Sequence, residues 1–276
     1  MSPFEPAGIV TLLTDFGLSD TYAGQMKGVL LGIDPTIRIV DLTHQVSPQN
    51  VAEAAFHLAA AVDAFPAGCV HLAVVDPGVG TARRAIVVQT DRHLVVCPDN
   101  GLVTLVAPEA VAAFEISPTI VGKSQPSSTF HGRDVFAPVA GRLASGQLNL
   151  EEVGPSVGLE SLGRVRFGVV EEDGQILGTI VSIDHFGNCI TLIGADSLPE
   201  STDEIDVRCG SFRVSGLSWT YETVDVGEPL TLIGSHGTLE LSIRDGDVAR
   251  SYGLALGDRV VVSQPAAGRG KVGPDR

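Results

Sequence analysis

The sequence predicts an α/β N-terminal domain with a mainly parallel sheet and flanking helices, followed by an all-β C-terminal barrel domain. Two observations carry this. In the first half, short apolar runs rich in β-branched residues alternate with stretches of helical period, the pattern of parallel strands covered by helices. From Gly174 onward, short strand-like runs follow one another with Gly and Asp turns between them. A chain of 276 residues can build a core for each. With 44% hydrophobic residues and a mean hydropathy of +0.25, disorder is not its default state.

Taken in order, Ile9 to Thr14 reads as a strand buried on both faces, ending at Asp15. Ser19 and Asp20 are candidate N-caps for a helix over Tyr22 to Ile33, stopped by Asp34-Pro35. Ile37 to Leu42 is a second strand. Ser47-Pro48 then reads as a cap with proline in the first turn of a helix from Gln49 to Phe65, and Cys69 to Val75 as the third strand. Ala85 to Gln89 and His93 to Cys97 form a tight hairpin, Val111 to Ile116 a further strand, and Val135 to Ala144 a helix. Gln147 to Gly163 shows no sustained period and reads as a linker. Strands are expected at Ile176–Ile183, Cys189–Ile193, Ile205–Cys209, Phe212–Leu217, Pro229–Ile233, Thr238–Ile243 and Arg259–Val262. The domain boundaries that follow are 1–163 for the N-terminal unit with its linker, 164–263 for the barrel, and 264–276 for a Gly-rich, disordered tail.

The balance of charge narrows the function. Eighteen Lys and Arg against 33 Asp and Glu give a formal charge of −15, which repels a phosphate backbone, so nucleic acid is not expected as a partner. Cys69, Cys97, Cys189 and Cys209 lie far apart without a Cys-x-x-Cys, so neither a zinc ribbon nor a redox dithiol is suggested. The seven histidines form no His-x-x-x-His or His-Glu-x-x-His pair, and no metal is expected. Gly-x-Gly-x-x-Gly, Walker A and Gly-x-Ser-x-Gly patterns are all missing, which removes the usual dinucleotide, nucleoside triphosphate and serine-hydrolase readings. There is no basic n-region with an apolar stretch behind it and no run of membrane-spanning length, so a cytoplasmic enzyme is expected.

Chemistry concentrates at predicted strand ends. The stretch Val74 to Arg84 runs from a buried strand onto Asp76, through a loop with Gly78 and Gly80, to Arg83 and Arg84. Groups just past the carboxyl ends of parallel strands face the ligand crevice of α/β folds. Asp15 and Asp99 stand at comparable positions, where a carboxylate can hold a ribose diol or act as a base. His131 lies in a loop beside Gly132, Arg133 and Asp134. In the second domain, Asp184-His185-Phe186-Gly187-Asn188 gathers an acid, an aromatic and an amide, a set able to clamp a purine, and Gly234-Ser235-His236-Gly237 is a second such turn.

Thr14-Asp15-Phe16-Gly17, Val75-Asp76-Pro77-Gly78-Val79-Gly80-Thr81, Pro98-Asp99-Asn100-Gly101, Phe130-His131-Gly132-Arg133-Asp134 and Asp184-x-Phe186-Gly187-Asn188 together resemble, in order, the S-adenosyl-L-methionine (SAM) hydrolase family. Its members are also called SAM hydroxide adenosyltransferases and are related to the fluorinase and chlorinase. The resemblance implies hydrolysis of SAM to adenosine and L-methionine with no cofactor. It also implies a homotrimer whose active sites lie between subunits. By motif matching it places Asp76, Arg83 and His131 in the catalytic set, with Arg84 as the adjacent alternative. Asp15 would hold the ribose hydroxyls, Asn188 the adenine and Phe186 a face of the nucleoside. Asp184 with Ser235, and less strongly Glu240, would hold the amino-acid end; Asn100 falls within a matched motif and is counted with the binding residues. Fluorinases carry a long insertion where this chain has only Thr90-Asp91-Arg92, and a Trp near Gln49, which argues for water over halide. A SAM-dependent halogenase and a non-catalytic adenosine or SAM binder are the alternatives.

Overall fold

The computed structural model describes residues 4–122, 125–199 and 205–264. The chain divides into two compact units, Met1–Val165 and Arg166–Arg276. The first is built on a six-stranded mixed sheet. Its elements are β1 (Ile9–Thr14), α1 (Tyr22–Ile33), β2 (Arg38–Thr43), α2 (Val51–Val62), β3 (Val70–Val74), β4 (Ala85–Thr90), β5 (Leu94–Pro98), β6 (Ala110–Glu115) and α3 (Ala137–Ala144). The strand order is β2-β1-β3-β5-β4-β6. The first four of these run parallel, whereas β4 pairs antiparallel with both β5 and β6.

Every residue of β1, β3 and β5 is buried, as their unbroken apolar runs foretold, because helices cover both faces of the sheet. Alternate residues of each strand feed opposite cores. Val10, Leu12, Leu72 and Val96 pack with Met26 and Leu30 of α1 and Val139 and Leu143 of α3. Leu13, Ala73, Val75 and Val95 pack with Ala54, Leu58 and Val62 of α2 on the other side. The register pairs Thr14 with Val74 and Leu72 with Val96, so the loops carrying Asp15, Asp76 and Asp99 leave one edge of the sheet.

Three local expectations need correction. Neither Ser19 nor Asp20 caps α1: Thr21 precedes the helix and makes no side-chain capping bond. Helix α2 begins at Val51 with the Asn50 side chain accepting from the Glu53 amide, so Ser47 is not its cap. The intervening Gln49 has a φ of 64°, a left-handed conformation that cannot belong to a right-handed helix. The presumed linker 147–163 is part of the first unit. Leu148, Leu150 and Val153 bury in one core and Leu162 in the other, and Ser156 bridges Phe114 of β6. Its apolar residues are spaced by short turns, which hides them from any test of period.

The second unit comprises β7 (Val170–Glu172), β8 (Gln175–Ile183), β9 (Cys189–Gly194), β10 (Asp206–Cys209), β11 (Phe212–Ser215), β12 (Pro229–Ile233), β13 (Thr238–Ile243), α4 (Val248–Tyr252) and β14 (Arg259–Ser263). Its sheet is antiparallel in the order β11-β10-β14-β8-β9-β13-β12, with β7 pairing β8. Just beyond β11, Ser218 bridges Leu232 of β12, so the two edge strands approach closure of a barrel. Sequence reading missed the one-turn helix α4, capped by Asp247 and ended by Gly253 in the left-handed region, and the short strand β7. Residues 265–276, where the disordered tail was expected, lie outside the described residues.

The first unit buries two histidines against each other. His71 of β3 and His93 of the β4–β5 turn are packed ring edge to ring face with centroids 4.8 Å apart, and His71 Nδ1 lies 2.8 Å from the Thr11 hydroxyl. Burial, with the neighbouring ring, pushes His71 down to about 3; burial and Arg92 lower His93. Both are neutral when folded and can take a proton when unfolded. Their contribution is therefore complete above the ordinary imidazole value of 6.5 and is lost as the pH falls from there toward 3. The urea midpoint is expected to drop between pH 7.5 and 5, and to drop less in His71→Gln, which cannot gain that proton.

Candidate active site

Asp76 follows Val75 off the end of β3. The chain turns there through Pro77–Arg84, with the Thr81 hydroxyl donating to the Gly78 carbonyl (2.7 Å). Gly80 has a φ of 78° and its Cα faces the Ser128 carbonyl, so no side chain fits there. This turn brings Arg83 back onto Asp76. The Arg83 guanidinium donates from Nε to Asp76 Oδ1 (3.0 Å) and from Nη2 to Oδ2, a two-point pairing. The side chains are only 11% and 5% exposed, so the pair is shielded from solvent.

Nη2 of Arg83 also lies 2.9 Å from His131 Nδ1. Because a guanidinium can only donate, Nδ1 is the acceptor, and the proton of the neutral ring sits on Nε2. Burial lowers the His131 pKa and the Arg83 charge lowers it further, against Asp76 and Asp134, which raise it. Neutral imidazole is thus the resting form at pH 7. Phe136 completes the enclosure, with the guanidinium carbon 5.2 Å from its ring centre.

Asp15 stands at the same edge of the sheet. Its Oδ2 accepts from the Gln49 amide at 2.8 Å, a bond made possible by the left-handed backbone of Gln49. The loop it lies on is clasped by residue 44: Gly17 donates to the His44 carbonyl (2.7 Å), and the Thr14 hydroxyl meets His44 Nδ1 at 2.8 Å. Asp41 lies 3.1 Å from His44 Nε2 and 2.6 Å from Lys27 Nζ. Burial works to raise the Asp41 pKa, but Lys27 and His44 outweigh it and hold the carboxylate below its ordinary range.

The third strand-end acid has a structural use. Asp99 accepts from Arg84 Nε (2.7 Å) and the Gly163 amide (2.7 Å), while Arg84 also donates to the Ser161 carbonyl (2.6 Å). Arg83 thereby goes to Asp76 and Arg84 to Asp99. Asn100 is turned to the backbone as well, donating to the Val75 carbonyl (2.8 Å) and accepting from the Leu102 amide (3.2 Å). Both residues hold the strand ends. The partners of Asp99 and Arg84 at 161–163 are too distant in sequence to have been foreseen.

In the second unit, Asp184, Phe186, Asn188, Ser235 and Glu240 line one cavity of about 830 Å³. Asp184 organises its own loop, with Oδ1 accepting from the Phe186 and Asn188 amides and Oδ2 from Asn188 Nδ2, each at 2.9 Å. Phe186 is left 73% exposed, its ring free to stack. Glu240, buried at 5% exposure, accepts at Oε1 from the Tyr221 hydroxyl (2.6 Å) and the Ser242 hydroxyl (2.9 Å). Burial and the Glu240 charge push the Tyr221 pKa up, so the phenol stays a donor. His236, from the Gly234-Ser235-His236-Gly237 turn, also faces this cavity, as do Trp219, Tyr221, Asp245 and Asp247, which were not foreseen. The aromatic pair Trp219-x-Tyr221 between strands was the available signal. Among the described residues, no three His, Cys, Asp or Glu are grouped to hold a metal.

Comparison with known proteins finds relatives along both units. The family model described as the SAM hydroxide adenosyltransferase N-terminal domain matches residues 10–154, and the one for its C-terminal domain matches 178–261. A protein of Salinispora tropica named (R)-S-adenosyl-L-methionine hydrolase is 40% identical over 94% of this chain and 98% of its own length. Its namesake from Thermus thermophilus is 39% identical, covering 90% and 96%. A fluorinase of Actinopolyspora mzabensis is more distant, at 29% identity over 93% and 97%. Among solved structures, an uncharacterized conserved protein from Thermotoga maritima superposes with a TM-score of 0.84 at 37% identity, covering 92% of this chain and all of that one.

The two arginine–carboxylate pairs differ in what removal exposes. Arg83→Met leaves Asp76 buried without its counter-charge and is expected to destabilise the protein by about 3–5 kcal/mol. Arg84→Met leaves Asp99 the Gly163 amide, and Arg84 is itself 30% exposed, so the loss is expected to be smaller. Urea denaturation of the two variants at pH 7 checks the order.

Proposed function

The chain belongs to the SAM hydroxide adenosyltransferase family, and from that premise we propose that it hydrolyses S-adenosyl-L-methionine to adenosine and L-methionine by in-line attack of water at C5′. The observation that carries the reading is the Asp76–Arg83–His131 arrangement, in which one guanidinium joins a buried carboxylate to a neutral imidazole. The names of the relatives from Salinispora tropica and Thermus thermophilus support extending it to the (R) epimer at the sulfonium.

The chemistry needs little from the protein beyond handling the water. Sulfur is already cationic, so the C5′–S bond breaks with its electron pair going to a neutral thioether and no acid is required. As the C5′–O bond forms, the oxygen of the attacking water becomes strongly acidic, so even a weak base can take its proton. Asp76 fits that role. The Nδ1 lone pair of His131 is occupied by Arg83, so its Nε2–H can only donate to the water oxygen and orient it. Arg83 stabilises the negative charge on Asp76 and keeps both partners in place.

Asp15 would hold the ribose hydroxyls, Asn188 the adenine edge and Phe186 a face of the nucleoside. Asp184, Ser235 and Glu240 would hold the amino-acid end. The reading includes a homotrimer whose active sites are shared between neighbouring copies, acting in the cytoplasm without a cofactor.

Purified protein incubated with SAM is expected to release adenosine, and faster from the (R) epimer. Asp76→Asn should lower kcat by a hundredfold or more, on the order expected when a positioned base is lost. Because His131 must stay neutral to accept from Arg83, activity should persist to below the ordinary imidazole range and fall as the ring protonates. Adenosine release no greater than that of Asp76→Asn would overturn the proposal. Formation of 5′-halo-adenosine in chloride or fluoride would favour the halogenase instead. Light scattering should give three chains per particle.

A further inference from the structure

His131 occupies the position before a helical segment, with φ −63° and ψ −25°, and its side chain makes no capping bond. The ring is aimed at Arg83. Its backbone must therefore be held by other groups. The five residues after it, Gly132–Phe136, form a π-helical turn closed by the Ala137 amide on the Gly132 carbonyl. Such turns cluster at functional sites because they redirect side chains. Gly132 is wedged against Met26, Phe130 and Phe16, where a Cβ would come within 3.1–3.4 Å of each, so the turn cannot slide toward α1.

One carboxylate ties the two sides of His131 together. Asp134 Oδ2 accepts from the Ser127 amide at 2.8 Å, fixing the loop that enters His131. Its neighbour Arg133 donates to it twice, from Nε to Oδ1 (2.7 Å) and from Nη2 to Oδ2 (3.0 Å). Arg133 in turn donates to Gln25 of α1 (3.0 Å) and lies 5.0 Å from the ring centre of Phe130. The same loop presents the Ser128 carbonyl to Gly80, in the turn between Asp76 and Arg83. Asp134 is 4% exposed, and packing alone would favour an apolar residue over a desolvated charge.

We propose that Asp134, with Arg133 as its counter-charge, is a positioning residue that holds the His131 ring against Arg83. The role rests on the reading of His131 given above. The charges acting on the ring are Arg83, ahead of β4, Asp76, at the end of β3, and Asp134, on its own turn. The two carboxylates oppose burial and Arg83, so removing one has an electrostatic signature that a purely structural role lacks.

The test uses Asp134→Asn, which keeps size and an acceptor for Ser127, and Arg133→Met, which removes the counter-charge from a partly exposed position. The imidazole titration of His131 is followed by nuclear magnetic resonance, assigned with His131→Gln, alongside steady-state adenosine release. In Asp134→Asn the His131 midpoint should fall by about half a pH unit or more. Its kcat should fall about tenfold or more with KM within about threefold, as expected when a reacting group is misplaced. Arg133→Met should lower kcat in the same sense by a smaller factor, and Asp134→Glu should recover part of the loss. A titration and kcat at wild-type values in Asp134→Asn would overturn the proposal, as would a loss of stability alone. If the wild-type protein leaves SAM intact, the proposed function fails, and the titration still decides whether Asp134 acts on His131.

Discussion

The guanidinium of Arg83 is the constraint on which the site of the first unit depends. It neutralises Asp76, fixes the tautomer of His131 and stacks on Phe136, all from a position 11% exposed. A lysine could satisfy one of these partners but not all three, because only a planar fork presents Nε and Nη2 to a carboxylate while the same Nη2 reaches an imidazole. The arrangement also sets chemical roles. The carboxylate accepts two hydrogen bonds from one guanidinium, and an imidazole whose Nδ1 accepts from a cation is held neutral with Nε2–H as its free face.

The fold makes this possible by aligning strand ends. Three adjacent parallel strands, each buried on both sides, end at one edge, and each hands its loop a carboxylate. The three acids then diverge by their partners. Asp99 is committed to Arg84 and the Gly163 amide, Asp76 to Arg83, and Asp15 retains an oxygen beyond the one bonded to the Gln49 amide. Such pairs are costly to desolvate and add little net stability. Asp99 and Arg84 recover that cost by fastening residues 161–163 to the sheet, which continues the first unit to its end. Asp76 and Arg83 are tied instead to the imidazole of His131, and a buried pair that meets an imidazole is an arrangement suited to chemistry.

Much of this was legible in the sequence because local and global preferences agree there. Helix α1 and strands β12 and β13 have the bounds that the sequence pattern assigns, Asp15 and Asp76 stand at the ends of apolar runs, and His131 stands out in a polar loop beside Gly132, Arg133 and Asp134. The failures have a common cause. Gln49 looks like a helix residue but adopts a left-handed backbone in which its amide reaches Asp15, 34 residues earlier. The segment 147–163 looks like a linker because its buried leucines answer to two cores and to no period of their own. Asp99 looks like a ligand because its partner, the Gly163 amide, is a backbone group that no motif records. Tyr221, which donates to the buried Glu240, opens a single short turn between strands, where periodicity is silent and only the aromatic pair Trp219-x-Tyr221 gives a signal.

The electrostatics of the two units bear on different steps of the proposed reaction. The cavity of the second unit carries Asp184, Glu240, Asp245 and Asp247 on its wall, a negative lining suited to a cationic ligand. Attraction of that kind is felt by the sulfonium in the ground state, and as the C5′–S bond breaks the positive charge leaves sulfur. A uniformly negative surround would therefore favour substrate over transition state, lowering KM at the expense of kcat. The first unit avoids this by presenting its buried carboxylate already paired: Asp76 with Arg83 is close to neutral as a unit, next to an uncharged imidazole. In the proposed reaction the attacking water lies against Asp76, so positive charge developing on it meets the carboxylate at closer range than the guanidinium. That charge would appear on the oxygen held by Asp76 as it leaves sulfur, so proximity lets the carboxylate favour the transition state while Arg83 limits its pull on the substrate.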